Sequence, residues 1–165
     1  MPNIGEVVTI AGIDWIVLDK TENAVLCLTK NLVYNEEEFD ELTNNYKSSS
    51  IRRKLKTSFL PEIVACIGDD ALFNVEIDLI ADDGDNSYGV VVDKVGLITC
   101  DMYRKYNEII KMHRADNWWW TSTPRTTHDK LTRLVDEDGS LVNVPVDCIF
   151  GIRPFCVFKA SIFES

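Results

Sequence analysis

The sequence predicts an α+β fold, because many short strand-like runs surround two stretches with helical periodicity. Runs such as "GEVVTI" and "DWIVLD" are rich in β-branched residues and are bounded by turn residues, as strands are. Two other stretches, "SSSIRRKLKTSF" and "CDMYRKYNEIIKMH", repeat apolar residues three or four positions apart. With no internal repeat and no linker, the chain is predicted to form a single domain over residues 1–165.

The first third of the chain predicts three consecutive strands. "GEVVTI" and "DWIVLD" flank a tight turn at Ala11 and Gly12, and "AVLCLTK" follows the polar turn "KTEN". The middle run is apolar on both faces, because Trp15 and Val17 lie on one face and Ile16 lies on the other. It is therefore predicted to be a central strand.

Both helices carry start signals in the sequence. One of the serines 48–50 is expected to cap the first helix, and Thr99 the second, by accepting a backbone N–H in the first turn. Asp101 adds a favourable charge to the first turn of the second helix. The buried stripe of the first helix is predicted to be Ile51, Leu55 and Phe59.

The second half of the chain alternates extended segments with loops. "ALFNVEIDLI" and "VVVDKVGLIT" predict strands on either side of the polar loop "ADDGDNSYG". "LTRLVDEDGSLVNVPV" predicts a hairpin that turns at Asp138 and Gly139. "FGIRPFCVFKA" predicts the closing strand, in which Pro154 favours an edge or a bulge because proline cannot donate to a neighbouring strand.

Charge and cysteine content limit the classes of partner and compartment. The formal net charge of -10 opposes binding to nucleic acid or to anionic membranes. The five cysteines form no C-x-x-C pair and most lie in apolar runs, which indicates free thiols in a reducing compartment. Neither a signal segment nor a membrane-spanning run is visible in the sequence, so we expect a cytoplasmic protein.

Metal and catalytic motifs are scarce. His113 and His128 have no zinc-ligand spacing with cysteine, and no phosphate loop, dinucleotide fingerprint or nucleophile elbow is present. We therefore predict no enzyme activity and no cofactor. Calcium is a lesser alternative, because "ADDGDN" resembles part of a calcium loop, with the candidate ligands Asp82, Asp83 and Asp85.

Three consecutive tryptophans dominate the stretch "DNWWWTSTPRTTHDK". In a strand, Trp118 and Trp120 share one face and Trp119 takes the other. Burial of an indole ring strongly stabilises a core, so at least one of these rings is expected inside. We assign Trp118 and Trp119 to the core, and Trp120 to contact with a ligand or partner.

Several motifs, in order, resemble the DUF6273-type domains of bacteria and phages. "WWWTSTP", the hairpin with "VDEDG" and "GIRPFCVF" are similar to the tryptophan strand, hairpin and closing strand of that family. "IAGIDWIVLD", "YKSSSIRRKLKTSF" and "DKVGLITCDMYRKY" are similar to its earlier segments, and the likeness covers nearly the whole chain. Arg52 and Arg153 match the family pattern, whereas Tyr46, Lys54 and Thr121 replace two tryptophans and an arginine.

This resemblance implies a C-type-lectin-like fold, which is also similar to that of formylglycine-generating enzymes. It implies that the N- and C-terminal strands pair, that two helices flank mixed or antiparallel sheets, and that a long loop region carries a binding surface. It implies a binding module more than an enzyme, and the calcium motifs E-P-N and W-N-D of lectins are absent here. We interpret Arg52 and Arg153 as structural, because a buried guanidinium needs carbonyl or carboxylate acceptors.

We predict a non-catalytic module that binds a macromolecular partner, first of all a protein, and that inhibits a host protein as a phage or mobile-element product. The contact surface is expected along the loop after the tryptophans and along two acidic segments. Its predicted residues are Trp120, Thr121, Thr123, Arg125, His128, Glu36, Glu37, Glu38, Asp82, Asp83 and Asp85.

Three other functions stay open. A carbohydrate-binding lectin-like domain would place Trp120 against a sugar ring. An acidic nucleic-acid mimic would block a nucleic-acid-binding enzyme through its negative surface. An oxidase-like enzyme would need two of the five cysteines to be close together and accessible to solvent.

Overall fold

The protein has an α+β fold in which sheets dominate and a few short helices flank them. This computed structural model describes residues 1–164. Its first sheet contains β1 (Val7–Ile10), β2 (Ile13–Lys20), β3 (Ala24–Thr29), β12 (Pro154–Lys159) and β7 (Gly96–Leu97), in that spatial order, and is antiparallel throughout.

The second sheet is mixed, because one of its strand pairs is parallel. Its spatial order is β10 (Leu141–Pro145), β9 (Leu131–Val135), β8 (Trp119–Pro124), β11 (Ile149–Ile152) and β4 (Tyr34–Glu38), with β8 and β11 parallel. A third sheet pairs only β5 (Val75–Asp78) with β6 (Val90–Asp93). All three sheets are open.

Local turn chemistry sets both predicted hairpins. Ala11 and Gly12 have φ values of 54° and 75°, the positive values that a two-residue turn between β1 and β2 requires. Asp136 closes the β9–β10 turn, since its Oδ1 accepts hydrogen bonds of 2.9 Å from the backbone N–H groups of Asp138 and Ser140. These hairpins and the central position of β2 confirm the sequence prediction.

The first helical segment is interrupted by a π turn. It consists of α1 (Ser50–Lys54), a π turn (Leu55–Phe59) and α2 (Leu60–Ile67), and the hydroxyl of Ser49 caps it by accepting from the N–H of Arg52. Pro61 explains the π turn, because its ring cannot donate a hydrogen bond and crowds the preceding turn. The predicted stripe of Ile51, Leu55 and Phe59 is buried.

The second helical segment is also broken, into α3 (Cys100–Lys105) and α4 (Asn107–Lys111), with Tyr106 between them. Thr99 caps α3 as predicted, by accepting from the N–H of Met102. Three short 3-10 turns complete the described elements, at Tyr46–Ser48, Asp69–Ala71 and Ala160–Phe163.

Two expectations about the closing strand are corrected. The last strand, β12, pairs with β3 and β7, so it lies in the same sheet as β1 but does not pair with it, because β2 and β3 lie between them. Pro154 is not on an edge strand. It begins β12, a position where a missing N–H interrupts little of the ladder. The core of this sheet centres on Trp15, whose ring meets Phe158 edge-on at 5.0 Å between ring centroids.

Candidate functional site

Two polar loops of the predicted contact surface lie against each other. The segment 80–89 leads into β6, and the segment 125–130 joins β8 to β9. The carboxylate of Asp85 accepts a 2.7 Å hydrogen bond from the hydroxyl of Thr127, and the N–H of Asp82 donates to the carbonyl of Pro124 over 2.9 Å. We call residues 80–89 and 125–130 together the loop platform.

Asn44 lies buried beneath the loop platform and joins its two halves. Its Nδ2 donates to the carbonyl oxygens of Thr126, at 2.7 Å, and Leu131, at 3.0 Å. Its Oδ1 accepts a 2.6 Å hydrogen bond from the hydroxyl of Tyr88. A buried amide with both ends bonded fixes the loops in one arrangement, because any other arrangement would leave buried polar atoms without partners.

Asp85 carries a permanent negative charge within this arrangement. Hydrogen bonds from the Thr127 hydroxyl and from Ser87 hold the pKa of Asp85 down at about 2. The imidazole Nε2 of His128 lies 3.6 Å from the Asp85 carboxylate, while 82% of the His128 side chain is exposed. The platform therefore presents a fixed carboxylate next to a solvent-accessible imidazole.

The other charged residues of the loop platform differ in how far other side chains engage them. Asp82 faces two guanidinium groups, with Arg104 at 3.4 Å and Arg133 at 3.6 Å. Arg125 donates to Asp129 over 2.8 Å and remains exposed. Asp83 is exposed and bonds only within its own loop, to the N–H of Asp85. The predicted contact residues that are exposed on this platform are thus Asp82, Asp83, Arg125 and His128, of which Asp82 and Arg125 form ion pairs with arginine and aspartate, respectively.

The acids of β4 form a separate group. Glu36 and Glu38 are exposed on this edge strand, and Glu37 forms an ion pair with Lys54. Within residues 1–164, no hydrogen bond or salt bridge connects Glu36, Glu37 or Glu38 with the loop platform. Charged side chains on an edge strand oppose pairing with strands of other chains. Prevention of such pairing explains these acids without a binding partner.

Three of the predicted contact residues are buried, which corrects the predicted surface. β8 is covered on both faces, and all six of its residues are buried. The indole N–H of Trp120 donates to the carbonyl of Glu37 over 2.8 Å, and its ring meets Phe39 and Phe150. The hydroxyls of Thr121 and Thr123 bond to the backbone of Arg133 and Cys100, respectively. Trp120, Thr121 and Thr123 therefore cannot contact a partner of the folded protein.

The other two tryptophans lie as strand alternation predicts. Trp118 is half-buried on the Trp120 side of β8, where it stacks on Phe150 with 5.3 Å between ring centroids. Trp119 is buried on the opposite side, against the ring of Tyr103 at 5.8 Å and the guanidinium of Arg153 at 5.2 Å. The indoles thus join β8 to its neighbours on both faces.

Arg52 ties the first helix to the third sheet. Its guanidinium donates two hydrogen bonds, of 2.8 and 3.0 Å, to the carboxylate of Asp93 at the end of β6. Lys56 lies 3.2 Å from the same carboxylate. Burial alone would raise the pKa of Asp93, but the hydrogen bonds from Arg52 and Lys56 outweigh it and hold that pKa below its usual value.

Arg153 is fully buried and bonds to the backbone alone. Its Nε donates to the carbonyl of Thr29 over 2.7 Å, and its Nη2 donates to the carbonyls of Lys30 and His113 over 2.8 and 2.6 Å. In residues 1–164 it forms no salt bridge with a carboxylate. Burial lowers the pKa of Arg153 to about 10, so the group is still a cation at neutral pH.

The acids proposed as calcium ligands bond to different partners. Asp82 faces arginines, Asp83 bonds to the N–H of Asp85, and Asp85 bonds to Thr127. Among the described residues, no three His, Cys, Asp or Glu side chains converge as a metal site. The calcium alternative therefore lacks a ligand set in the part of the chain that the structure describes.

Two cysteines lie close together, but neither is accessible. Cys27 and Cys156 are opposite each other in the β3–β12 pair, and both are fully buried. Burial raises the pKa of Cys27 to about 12, and it also raises the pKa of Cys156. An oxidase-like reaction needs a thiolate that solvent and substrate can reach, and this pair does not provide one.

Sequence reasoning missed two residues that hold the loop platform together. Asn44 and Tyr88 match no motif, and the hydrogen bonds of Asn44 span 44 to 87 positions of the chain. Thr127 and Asp129 lie in the loop after the tryptophans, which the sequence did predict as part of the contact surface. No local pattern can reveal such bonds. The only signal is compositional, since Asn44 and Asn45 stand between an acidic insertion and a helix start.

No protein-family model, no curated protein and no solved structure matches the chain. No helix within residues 1–164 is long and apolar enough to cross a membrane. The geometry and the resemblance of the motifs are therefore the grounds for a functional proposal.

Proposed function

We propose that the protein is a non-catalytic binding module and that its loop platform contacts a protein partner. One observation carries this proposal. The bonds made by Asn44, Tyr88 and Thr127 fix two loops in place, while Asp83 and His128 remain exposed on them. Binding residues occur disproportionately on surface loops that a rigid scaffold holds in position, and these hydrogen bonds hold the two loops in this way.

A fixed platform favours binding because less conformational freedom is lost on association. Ordering a loop or a side chain at an interface lowers affinity, and a surface that is already ordered avoids this loss. The platform also carries the permanent negative charge of Asp85 within a chain of net charge -10. A partner with a basic surface would therefore be attracted over long range and held in one orientation.

The motif resemblance supports the same proposal. In C-type-lectin-like domains a long loop region carries the binding surface, and the DUF6273-type domains that this sequence resembles are found in bacteria and phages. We propose accordingly that the protein acts as a phage or mobile-element inhibitor of a host protein, with blockage of a basic surface as its mode of action.

The test is affinity capture with a matched pair of charge reversals. Asp83→Lys and Glu22→Lys change the net charge equally, and both side chains are exposed. Glu22 lies in the β2–β3 turn, outside the loop platform. We expect a captured basic protein to lose at least about 1 kcal/mol of binding free energy with Asp83→Lys and almost none with Glu22→Lys. Equal losses would show that net charge alone drives capture and would reject the platform.

The captured partner also separates the remaining functions. If the partner binds nucleic acid and duplex DNA displaces it, the protein is an acidic nucleic-acid mimic. If a glycan array gives a signal that survives Asp83→Lys and His128→Ala, the recognition surface is a sugar site elsewhere on the chain.

A further inference from the structure

The strand β6 lies at the edge of its sheet and carries two exposed valines. Val90 and Val92 are 46% and 54% exposed, and they lie on the face of the strand opposite the buried Val91. Among the described residues, the sheet of β5 and β6 has no third strand, so one side of β6 has no neighbouring strand. An exposed apolar edge strand can pair with a strand of another chain.

The backbone groups of Val90 and Val92 face this open side. One position beyond the pair of Asp78 and Val90, the N–H of Leu79 donates to the carbonyl of Gly89 over 2.9 Å. Hydrogen-bonded and non-hydrogen-bonded pairs alternate along an antiparallel ladder, so Val90 and Val92 occupy non-hydrogen-bonded positions. Their N–H and C=O groups therefore point away from β5, and no segment within residues 1–164 bonds to them.

Other edge strands carry residues that oppose pairing, whereas β6 does not. The acids of residues 36–38 lie on β4, and β5 exposes Glu76 and Asp78. Pro145 ends β10, where it cannot donate to a further strand. The one charged residue of β6, Asp93, is buried. The edge of β6 thus lacks the charges and the proline that protect the other edges.

We propose that β6 pairs with β6 of a second copy of the chain, antiparallel and about a two-fold axis at Val91. This register places Val90 of each copy opposite Val92 of the other, so the exposed valines of both copies lie side by side on one face. The outward N–H and C=O groups of these valines then bond to each other across the axis. A two-fold axis makes the same short stretch complementary to itself, which favours a second copy as the occupant.

Charge also favours pairing through β6 and not through β5. Self-pairing of β5 would bring the carboxylates of Glu76 and Asp78 against those of the other copy, and like charges on facing strands are destabilising. Pairing through β6 instead leaves the acids on the two outer strands of one continuous sheet. Because two-stranded sheets are only marginally stable alone, the larger sheet also strengthens each copy of β5 and β6.

The dimer is expected to be weak. A strand of 4 residues buries little surface compared with a standard protein interface. The net charge of -10 on each copy also repels the other copy, and salt screens this repulsion. Association should therefore increase with protein concentration and with ionic strength.

Sedimentation velocity of the full chain, from about 10 µM to about 1 mM and at low and high salt, measures this association. We expect a monomer–dimer equilibrium. In the same samples, the amide protons of Val90 and Val92 should exchange roughly fivefold more slowly when most chains are paired, because pairing protects them. The outward amides of Glu76 and Asp78 provide the internal control, and their exchange should not depend on concentration. A monomer at every concentration, or a dimer without protection of Val90 and Val92, would overturn the proposal.

A matched pair of variants separates strand pairing from a general effect of charge. Val92→Asp places a carboxylate in the paired stretch, and Ile149→Asp makes the same change at a residue of β11 that is 56% exposed. We expect Val92→Asp to raise the dissociation constant of the dimer at least about tenfold and Ile149→Asp to change it less than about twofold. Equal weakening by both variants would reject β6 as the interface. Should Val92→Asp fail to fold by circular dichroism, amide exchange in the wild-type chain decides the question.

Discussion

The hydroxyl of Tyr88 donates a 2.6 Å hydrogen bond to Oδ1 of Asn44, and this bond joins one loop of the platform to the segment beneath it. The amide nitrogen of Asn44 simultaneously holds the other loop, through Thr126 and Leu131. A single side chain therefore connects two loops that are far apart in sequence and that also bond directly to each other through Asp85 and Thr127. The surface that we propose for recognition depends on this junction.

Replacement of Asn44 by alanine is expected to destabilise the protein by about 2–4 kcal/mol, because several buried polar groups lose their partner at once. Tyr88→Phe removes one bond and should cost about 1 kcal/mol. Urea denaturation, monitored by tryptophan fluorescence, measures the change in the free energy of unfolding for both variants. Tyr34→Phe is the matched control, since the Tyr34 hydroxyl makes no hydrogen bond within residues 1–164, and its effect should stay within about 0.5 kcal/mol. A Tyr88→Phe effect no larger than this control would mean that the junction is not formed in solution.

The buried ion pair of Asp93 should make stability sensitive to acid. The folded pKa of Asp93 is lowered by Arg52 and Lys56, so its contribution is fully present above the unfolded value of about 4. That contribution is lost as the pH falls through the lower, folded value. We expect Asp93→Asn to be less stable than wild type at pH 7 and to lose less stability than wild type between about pH 5 and pH 2.

Glu76→Gln provides the control for this pH dependence, because Glu76 is an exposed carboxylate on the neighbouring strand β5. Denaturation midpoints of wild type, Asp93→Asn and Glu76→Gln, measured at several pH values, show how the stability of each protein depends on pH. Parallel acid profiles for wild type and Asp93→Asn would contradict the assigned role of the ion pair.

Substitution of Trp120 tests whether this residue belongs to the core or contacts a binding partner. Because its ring is fully buried and its N–H is bonded to Glu37, Trp120→Ala should destabilise the fold by about 3–5 kcal/mol. Trp118 is only half-buried, so Trp118→Ala should cost less, about 1–2 kcal/mol. Thermal denaturation distinguishes the two variants. If Trp120→Ala keeps wild-type stability while it abolishes binding of a ligand, the indole is a contact residue after all.

The elements that the sequence predicted well depend on neighbours in the chain. The caps Ser49 and Thr99 and the turns at Gly12 and Gly139 are local features, and each lies where its residue type indicates. Strand alternation also placed the three tryptophans on the correct faces of β8. These features need no knowledge of the rest of the fold.

The features that the sequence did not predict depend on distant segments. Trp120 is buried because Phe39 and Phe150, from other parts of the chain, cover it. The partner of β12 is β3 and not β1, which strand patterns alone cannot decide. Likewise, the bonds of Asn44 exist only once three remote segments have met. Tertiary contacts between remote segments therefore determine which residues form the candidate site and which are buried.

Thiol reactivity tests both the core and the remaining enzymatic alternative. Cys66 is exposed and Cys148 is partly exposed, whereas Cys27, Cys100 and Cys156 are buried. A thiol reacts as its thiolate, and burial raises the pKa of each of the three buried cysteines. We expect Cys66 to react rapidly with an alkylating reagent, Cys148 more slowly, and the buried three only after unfolding.

Peptide mass spectrometry after timed labelling assigns each reaction to a cysteine. Cys66→Ser should remove the fast phase, and Cys148→Ser should remove the second phase while the fast phase persists. The same experiment under mild oxidant asks whether Cys27 and Cys156 take part in redox chemistry. Because both thiols are fully buried in the folded protein, their labelling should follow the rate of global unfolding. Rapid labelling of either thiol in the native protein would reopen the oxidase-like alternative and would show that the β3–β12 pair opens locally.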